Sequence, residues 1–204
     1  MPREYLRKYF IMGSQDCVRP PSDILQEAID GGITAFQFRE KGPLALKGEA
    51  KRALGRSLRA ICQEHNVPFF INDDIELIEP LQVDGIHVGQ DDTPVNEVRK
   101  KYPHLHIGLS ISNREELMAS PLDLIDYIGA GPVFPTSSKS DAKQTVGLAW
   151  ITYLNDLHPD IPIVGIGGID TQKAADVIDA GADGVAVISA ITKSTHIKQD
   201  VALL

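Results

Sequence analysis

Eight short apolar runs recur along the chain, and their number and spacing constrain the fold more than any other feature. Each run is closed by polar residues or glycine, and successive runs begin 17 to 35 residues apart. Most are rich in β-branched residues, which is typical of strands buried on both faces. The eight predicted strands are Tyr9–Met12, Thr34–Lys41, Pro68–Asp73, Gly85–Gly89, His106–Ile111, Tyr127–Phe134, Pro162–Gly168 and Gly184–Ser189.

Segments with helical periodicity separate these runs. Ser22 is predicted to cap a helix whose apolar stripe begins at Ile24 and ends at a glycine pair, residues 31–32. Parallel strands joined by helices must be covered on both faces, which leaves an open doubly wound sheet or a closed barrel. Eight such units favour the α/β class and a (β/α)₈ TIM barrel formed by a single domain, residues 1–204. Further helices are predicted within residues 44–67, 75–81, 113–119, 148–157 and 171–181.

The length is short for this fold, since about 250 residues are usual. The chain has 204 residues, and the last 15, residues 190–204, allow only a short final helix over the eighth strand. A second copy of the chain is one candidate for covering that strand. A homo-oligomer therefore stays open as an alternative to a monomer.

Charge and cysteine content exclude several function classes. The chain carries 28 Asp and Glu against 20 Lys and Arg, a formal net charge of −8, whereas a nucleic-acid-binding protein would carry a basic stripe. Local cations still allow an anionic small substrate. Cys17 and Cys62 are too few for a disulfide scaffold or a zinc site. No apolar run approaches about 20 residues and the start lacks a signal-peptide core, so we expect a cytoplasmic protein without a membrane partner.

The second predicted strand ends in two cations. Period-two alternation places Gln37, Arg39 and Lys41 on one face, and Phe36 and Phe38 on the other. The phenylalanines can pack on the helices, which directs the polar side chains to the inside of the barrel. A salt-bridge layer is one interpretation. A clamp for a phosphate-bearing ligand is the simpler one, because Arg offers a bidentate fork.

Carboxylates follow the next two strands. Asn72, Asp73 and Asp74 end the third strand, and the loop after the fourth contains Asp91 and Asp92. Such hard oxygen ligands suit Mg²⁺ that keeps waters and bridges a diphosphate. Helix capping by residue 74, or by residue 92 or 93, is the alternative interpretation.

Loops after the last three strands complete the predicted site. Residues 131–139 are rich in hydroxyl groups and end at Lys139, which suits an anion, although a plain surface turn is the alternative. Glycines within residues 165–168, together with Ser189, match the usual phosphate site of this barrel. A dinucleotide-binding fingerprint is disfavoured, because its third glycine is missing and Asp170 stands there.

No serine–histidine–aspartate or cysteine–histidine arrangement is evident, and His87, His104, His106 and Trp150 are interpreted as structural or exposed. Two anion sites and a metal without a protein nucleophile indicate transfer from a diphosphate leaving group to a second, phosphate-bearing substrate. Such a reaction needs the leaving group neutralised and the acceptor aligned.

Six motifs in this order resemble the thiamine-phosphate synthase family: QFREK (37–41), NDD (72–74), DGIHVGQDD (84–92), GPVFPTSSK (131–139), PIVGIGGI (162–169) and ADGVAVISA (182–190). The resemblance spans almost the whole chain. It implies Mg²⁺-dependent condensation of hydroxymethylpyrimidine diphosphate (4-amino-2-methyl-5-pyrimidinylmethyl diphosphate) with thiazole phosphate, giving thiamine monophosphate and diphosphate. The implied route is dissociative: diphosphate leaves first and the thiazole nitrogen captures the pyrimidinylmethyl cation.

The resemblance also implies a role for individual residues. Arg39, Lys41, Ser110 and Lys139 are implied as catalytic. The residues implied to hold the pyrimidine diphosphate are Gln37, Arg39, Lys41, Asn72, Ser110 and Lys139. Those implied to hold the thiazole phosphate are Thr136, Ser138, Gly168, Ile188 and Ser189, and Mg²⁺ is assigned to Asp73 and Asp92.

Two positions depart from the family pattern. Ser138 stands where the family usually has threonine, and Ser112 stands where a histidine is frequent. Three rival functions are kept: a thiazole tautomerase-like paralogue, a metal-independent sugar-phosphate isomerase, and a non-catalytic phosphate-binding regulator. The paired acids Asp73 and Asp92 disfavour the first and third, and metal dependence distinguishes the second.

Overall fold

A computed structural model describes residues 1–136, 138 and 143–204. Eight parallel strands follow one another in sequence order, and the last pairs with the first, so that the sheet closes into a barrel. The predicted (β/α)₈ barrel is thereby confirmed. The strands are β1 Lys8–Met12, β2 Ala35–Phe38, β3 Phe69–Asn72, β4 Gly85–Val88, β5 His106–Ile111, β6 Tyr127–Ala130, β7 Ile163–Ile166 and β8 Gly184–Val187.

Several strands end earlier than the apolar runs predict. β2 ends at Phe38, so Arg39 and Lys41 lie in the loop that follows it, and β6 ends at Ala130. After β6 the chain runs beside the loop that follows β7: Val133 N donates to Ile166 O at 2.8 Å, and Phe134 N donates to Gly167 O at 3.0 Å. Val133 is therefore buried and Phe134 partly buried against the end of β7 and the loop that follows it, and periodicity alone cannot distinguish this packing from a longer strand.

Helices connect the strands on the outside of the barrel. They are α1 Pro21–Gly31, α2 Gly48–Glu64, α3 Ile78–Leu81, α4 Val95–Lys101, α5 Arg114–Ala119, α6 Leu148–Leu157, α7 Ala174–Asp179, α8 Ser189–Thr192 and α9 Ile197–Ala202. Short 3₁₀ helices cover Arg3–Leu6, Ser14–Asp16, Ile75–Leu77 and Leu122–Leu124. Among the helices of the described ranges, none is long and apolar enough to cross a membrane.

The first helix begins two residues earlier than predicted. Its N-cap is Pro20, not Ser22, and Pro21 occupies the first helical position, where the fixed φ of proline and its missing N–H cost nothing. The helix ends as predicted at a glycine: Gly32 has φ +95°, a left-handed conformation that glycine adopts without strain.

Two apolar layers hold the barrel together. The outer layer lies between strands and helices and contains Phe36 and Phe38, as predicted. The inner layer fills the barrel and contains Tyr9, Phe70 and Tyr127. Bulky inner side chains make the barrel a packed core instead of a pore, so ligands must bind at its open end.

The C-terminal segment forms more cover than the sequence predicts. α9 packs on α1, and a methyl group added to Gly31 would lie 2.9 Å from Cβ of Val201. Glycine at position 31 thus permits the close approach of the two helices. In one copy of the chain, α8 and α9 together follow β8 and complete the ring of helices.

Candidate active site

A cavity of about 240 Å³ opens at the carboxyl-terminal ends of the strands. This is the end at which barrel enzymes place their active sites. Its wall contains many of the predicted site residues: Arg39, Lys41, Asn72, Asp92, Ser110, Thr136, Ser138, Gly168, Ile188 and Ser189. The loops after different strands therefore bring these side chains to one place.

The cationic loop after β2 is held by Glu40, a residue that sequence reasoning did not single out. The side chain of Glu40 is only 6% exposed. Its two oxygens accept hydrogen bonds from Ser14 N (2.8 Å), Ser14 Oγ (2.5 Å) and Leu46 N (2.6 Å). The carboxylate thereby ties the loops after β1 and β2 together, and it fixes the backbone between Arg39 and Lys41.

A second contact fixes the same loop. Gln15, from the loop after β1, donates through Nε2 to the backbone oxygen of Arg39 at 2.8 Å. The Arg39 amide in turn donates to Met12 O at 2.9 Å. Arg39 is 5% exposed and still lines the cavity, so these buried contacts fix its backbone at the cavity wall.

Lys41 lies between the two carboxylates predicted to hold metal. Its Nζ is 2.5 Å from Asp73 Oδ2 and 3.6 Å from Asp92 Oδ1. Both carboxylates therefore face the position of one cation. The second oxygen of Asp92 accepts a hydrogen bond from Gly89 N at 2.7 Å, which orients this carboxylate toward the lysine.

The capping interpretation holds for one of the three acids. Asp74 accepts from Glu76 N at 3.2 Å and caps the 3₁₀ helix Ile75–Leu77. Asp92 does not cap α4, whose N-cap is Pro94. Asp73 has a positive φ of +49°, an uncommon conformation that directs its carboxylate to Lys41 at an energetic cost. Capping therefore explains residue 74, and Asp92 lines the cavity. Asp73 is not among the described residues that line it, and it contacts the cavity wall through its ion pair with Lys41.

Ser110 lies in the cavity wall on β5, next to a histidine on β4. Its Oγ is 2.8 Å from His87 Nε2, and His87 Nδ1 is 3.0 Å from the Tyr127 hydroxyl. The predicted structural role of His87 agrees with its burial, but this histidine also lines the cavity. A catalytic serine–histidine pair would need a carboxylate as the third group to stabilise an imidazolium. Here the group next to His87 Nδ1 is the Tyr127 phenol and not a carboxylate.

Gln37 lies deeper than the other predicted ligands. It is 1% exposed inside the barrel, and its Nε2 donates to the Tyr9 hydroxyl at 3.0 Å. Among the described residues, its buried Oε1 has no hydrogen-bond partner. The inward direction predicted from the alternation along β2 is therefore correct, but a ligand can reach this amide only by settling against the inner layer.

The opposite wall of the cavity is built from the loops after β6, β7 and β8. Ser138 Oγ donates to Ser189 Oγ at 3.3 Å, which connects the first and last of these loops. Gly167 and Gly168 have φ values of +97° and +66°. A methyl group on Gly168 would lie 2.5 Å from the backbone oxygen of Pro135. Glycine is required here because the backbone adopts a left-handed conformation in close contact with its neighbour.

Two lysines lie in the loop after β6, and the structure describes one of them. Lys139, predicted to bind the diphosphate, lies outside the described residues. Lys143 lines the cavity, and its Nζ is 2.7 Å from Glu116 Oε1 on α5. Ser112, where the family pattern often has histidine, donates to the Gly131 backbone oxygen at 2.7 Å. This hydroxyl supports the loop after β6 from the neighbouring strand.

The thiols do not supply a nucleophile. Burial, reinforced by the charges of Asp16 and Glu40, raises the pKa of Cys17 to about 12, so this thiol stays protonated and unreactive near neutral pH. Burial likewise raises the pKa of Cys62 to about 12. Both cysteines are free, as their number and spacing predict. Neither cysteine is therefore an activated nucleophile.

Comparisons with known proteins show the family of this chain. The family model described as thiamine monophosphate synthase matches residues 8–191. A thiamine-phosphate synthase of Oceanobacillus iheyensis is 58% identical over 199 residues, which cover 98% of this chain and 97% of the relative. One from Geobacillus kaustophilus is 50% identical over 202 residues, 99% of this chain and 91% of the relative.

Solved structures show the same barrel. A thiamine phosphate pyrophosphorylase from Pyrococcus furiosus superposes with a TM-score of 0.87 at 32% identity, covering 99% of this chain and 95% of that one. An (S)-3-O-geranylgeranylglyceryl phosphate synthase from Thermoplasma acidophilum has a TM-score of 0.61 at 12% identity, covering 97% and 91%. The second similarity concerns the fold alone.

Proposed function

The chain belongs to the thiamine monophosphate synthase family, and on that premise we propose that its cavity joins hydroxymethylpyrimidine diphosphate to thiazole phosphate. The products are thiamine monophosphate and diphosphate, and the protein is a transferase of thiamine biosynthesis. One observation carries the assignment of the site. A single cavity combines Arg39, Lys41 and Asp92 on one side with a glycine loop and Ser189 on the other, and Asp73 joins the first side through its ion pair with Lys41.

The diphosphate is assigned to the cationic side. Arg39 is buried yet lines the cavity, so its fork can bind two phosphate oxygens at once. Lys41 adds a second charge, and Asn72 at the end of β3 adds an amide. Lys139 is proposed as a third cation on the basis of the family motif. These groups stabilise the negative charge that develops on the leaving oxygen.

Mg²⁺ is proposed at Asp73 and Asp92. No group of three or more His, Cys, Asp or Glu side chains in the described part of the chain could enclose a metal. Two carboxylates facing one cation position nevertheless fit Mg²⁺, which usually takes one or two carboxylates and completes its shell with water and substrate phosphate. When bound, Mg²⁺ neutralises charge on the diphosphate as a Lewis acid.

The thiazole phosphate is assigned to the opposite wall. Gly168 exposes backbone close to Pro135, and Thr136, Ser138 and Ser189 supply hydroxyl groups. Ile188 adds an apolar side chain at the same wall. Loops after the seventh and eighth strands are the usual phosphate site of this barrel. The two anions are thereby held on separate walls of one cavity.

The reaction follows from this separation. The C–O bond between the pyrimidinylmethyl carbon and the diphosphate breaks, and its electron pair leaves with the diphosphate. The thiazole nitrogen lone pair then forms the new C–N bond, and the positive charge ends on the thiazolium ring. Arg39 and Lys41 retain the leaving group, while the glycine-loop side holds the acceptor in line. Such a substitution needs no protein nucleophile.

We also propose where the protein acts and how it assembles. Both substrates carry phosphate groups, which do not cross membranes unaided, and the two thiols are free. These features support action in the cytoplasm. A homo-oligomer is a further proposal. Analytical ultracentrifugation, which measures the mass of the particle in solution, tests it.

The test is to mix the purified protein with both substrates, with and without Mg²⁺, and to measure thiamine monophosphate by chromatography. We expect product only with both substrates and Mg²⁺. Metal-independent product would contradict the metal assignment. Binding of thiazole phosphate without turnover would instead favour the tautomerase-like or regulatory alternatives.

A further inference from the structure

A row of five hydrogen-bonded polar side chains crosses the inside of the barrel below the cavity. Gln37 Nε2, the hydroxyls of Tyr9 and Tyr127, the His87 ring and Ser110 Oγ follow one another at distances of 3.0, 3.0, 3.0 and 2.8 Å. They come from five different strands. We call these five side chains the interior relay. It connects Gln37 and Ser110, two of the six residues that the family resemblance assigns to the pyrimidine diphosphate.

Neighbouring strands leave space for the relay. A methyl group added to Gly108 would lie 2.1 Å from Cζ of Tyr127, and one added to Gly129 would lie 2.7 Å from Cε1 of His87. Both glycines lie within strands, where glycine weakens the sheet and marks a close approach. These glycines weaken β5 and β6, but they leave room for the rings of Tyr127 and His87.

Each hydrogen bond of the relay is donated in the same direction, from Gln37 toward Ser110. Burial raises the pKa of both Tyr9 and Tyr127 above the ordinary range, so each phenol keeps its hydrogen and donates once. Tyr9 accepts from Gln37 Nε2, so among its hydrogen-bond partners in the described residues the Tyr127 hydroxyl is the one acceptor, and we assign the Tyr9 hydrogen to Tyr127. The Tyr127 hydrogen then goes to His87 Nδ1.

The two ends of the relay follow from that direction. His87 accepts at Nδ1, so its ring hydrogen is on Nε2 and is donated to Ser110 Oγ. The hydroxyl hydrogen of Ser110, in the cavity wall, is then directed to another acceptor. At the other end, Gln37 keeps its Nε2 on Tyr9, and its buried Oε1 has no hydrogen-bond partner in the part of the chain that the structure describes. A buried amide oxygen of this kind is costly unless a ligand donates to it.

We propose that Tyr9, Tyr127 and His87 are positioning residues that select the aminopyrimidine. They hold Gln37 as an acceptor for the exocyclic amino group and Ser110 as a hydroxyl donor to the same substrate. The inference rests on the proposed function, because the pyrimidine is the substrate that carries an amino group beside a ring nitrogen. A site built to hydrogen-bond a substrate N–H discriminates strongly against an analogue that lacks it.

The kinetic test compares Tyr127→Phe with wild type, using the pyrimidine diphosphate and its analogue in which hydrogen replaces the amino group. We expect Tyr127→Phe to reduce the kcat/KM preference for the amino substrate about tenfold, with the KM for thiazole phosphate unchanged. Tyr102→Phe is the matched control, since it loses one hydroxyl bond to Glu79 at the other end of the barrel. An unchanged preference in Tyr127→Phe would overturn the proposal.

A second measurement does not depend on activity. In protein labelled with ¹⁵N-histidine, NMR of His87, assigned through bonds, is expected to show an unprotonated Nδ1 and a protonated Nε2. Tyr127→Phe is expected to give a mixture of tautomers, and Tyr102→Phe the wild-type spectrum. A protonated Nδ1 in the wild type would overturn the relay even if the enzyme is active. Conversely, wild type that forms no thiamine monophosphate contradicts the proposed function, while the His87 spectrum still decides the direction of the relay.

Discussion

Replacing Glu40 by glutamine tests whether the loop after β2 must be rigid. Both carboxylate oxygens face backbone N–H donors: Oε2 accepts from Ser14, and Oε1 accepts from Leu46 and from the Ser14 hydroxyl. A glutamine amide has one oxygen, so in either orientation its NH₂ group faces an N–H donor. The substitution therefore breaks at least one buried hydrogen bond that glutamine cannot replace.

The expected magnitude follows from these contacts. A hydrogen bond to a charged group contributes roughly 1.5–3 kcal/mol, and leaving a buried donor unsatisfied adds a penalty of similar size. We expect Glu40→Gln to lower the free energy of unfolding by about 2–4 kcal/mol. Since Arg39 and Lys41 flank this residue, kcat/KM for the pyrimidine diphosphate should also fall roughly 10²-fold, the cost of displacing reacting groups by about 1 Å.

Urea unfolding and steady-state kinetics with each substrate measure the two effects. Glu97→Gln on α4 is the control, because this carboxylate is exposed and lies on the outside of the barrel. The control should match wild type in both assays. If Glu40→Gln also matches wild type in stability and in kcat/KM, the carboxylate does not hold the loop and the reasoning is refuted.

Three further predictions concern single side chains. Arg39→Lys should reduce kcat/KM roughly 10²-fold in steady-state assays, because a point charge cannot replace a bidentate fork; an unchanged rate and KM would contradict the clamp. Asp92→Ala should abolish Mg²⁺-dependent turnover while circular dichroism shows a folded barrel, and near-normal activity with the same Mg²⁺ requirement would count against the metal assignment. Burial raises the pKa of Asp126, but hydrogen bonds from His106 and Ile107 and the Arg99 guanidinium lower it well below the ordinary range. The stabilisation is therefore present above about pH 4 and lost as the pH falls, so Asp126→Asn should cost roughly 1–3 kcal/mol in urea unfolding at pH 7 and progressively less below pH 4; a penalty independent of pH would refute this.

The barrel was predictable because strand and helix periodicity depend on local residue order. The strand His106–Ile111 has the same bounds in the structure as in the prediction. The ends of other strands were predicted too late: residues 131–134 are apolar because they pack on the loop after β7, and such burial has the same composition as a strand. Contacts between loops distant in sequence leave no periodic signal.

The charged part of the cavity wall was predictable where charged residues follow a strand, as with Arg39, Lys41 and Asp92. The residues that hold those side chains in place were not predictable from the sequence. Glu40 alternates with the cations and was assigned no role, although the neighbouring Ser14 and Leu46 amides need its carboxylate. Tyr9 and Tyr127 lie in apolar runs, where a phenol and a phenylalanine ring follow the same pattern. The one available signal for the relay was glycine inside β5 and β6, which marks space reserved for a large neighbour.

The division of one cavity into two anion sites is the central claim, and a crystal structure with Mg²⁺, diphosphate and thiamine monophosphate tests it most directly. The account predicts diphosphate between Arg39 and Lys41, Mg²⁺ on Asp73 and Asp92, and the product phosphate at Gly168 and Ser189. Diphosphate bound at the glycine loop, or Mg²⁺ bound away from both carboxylates, would contradict it.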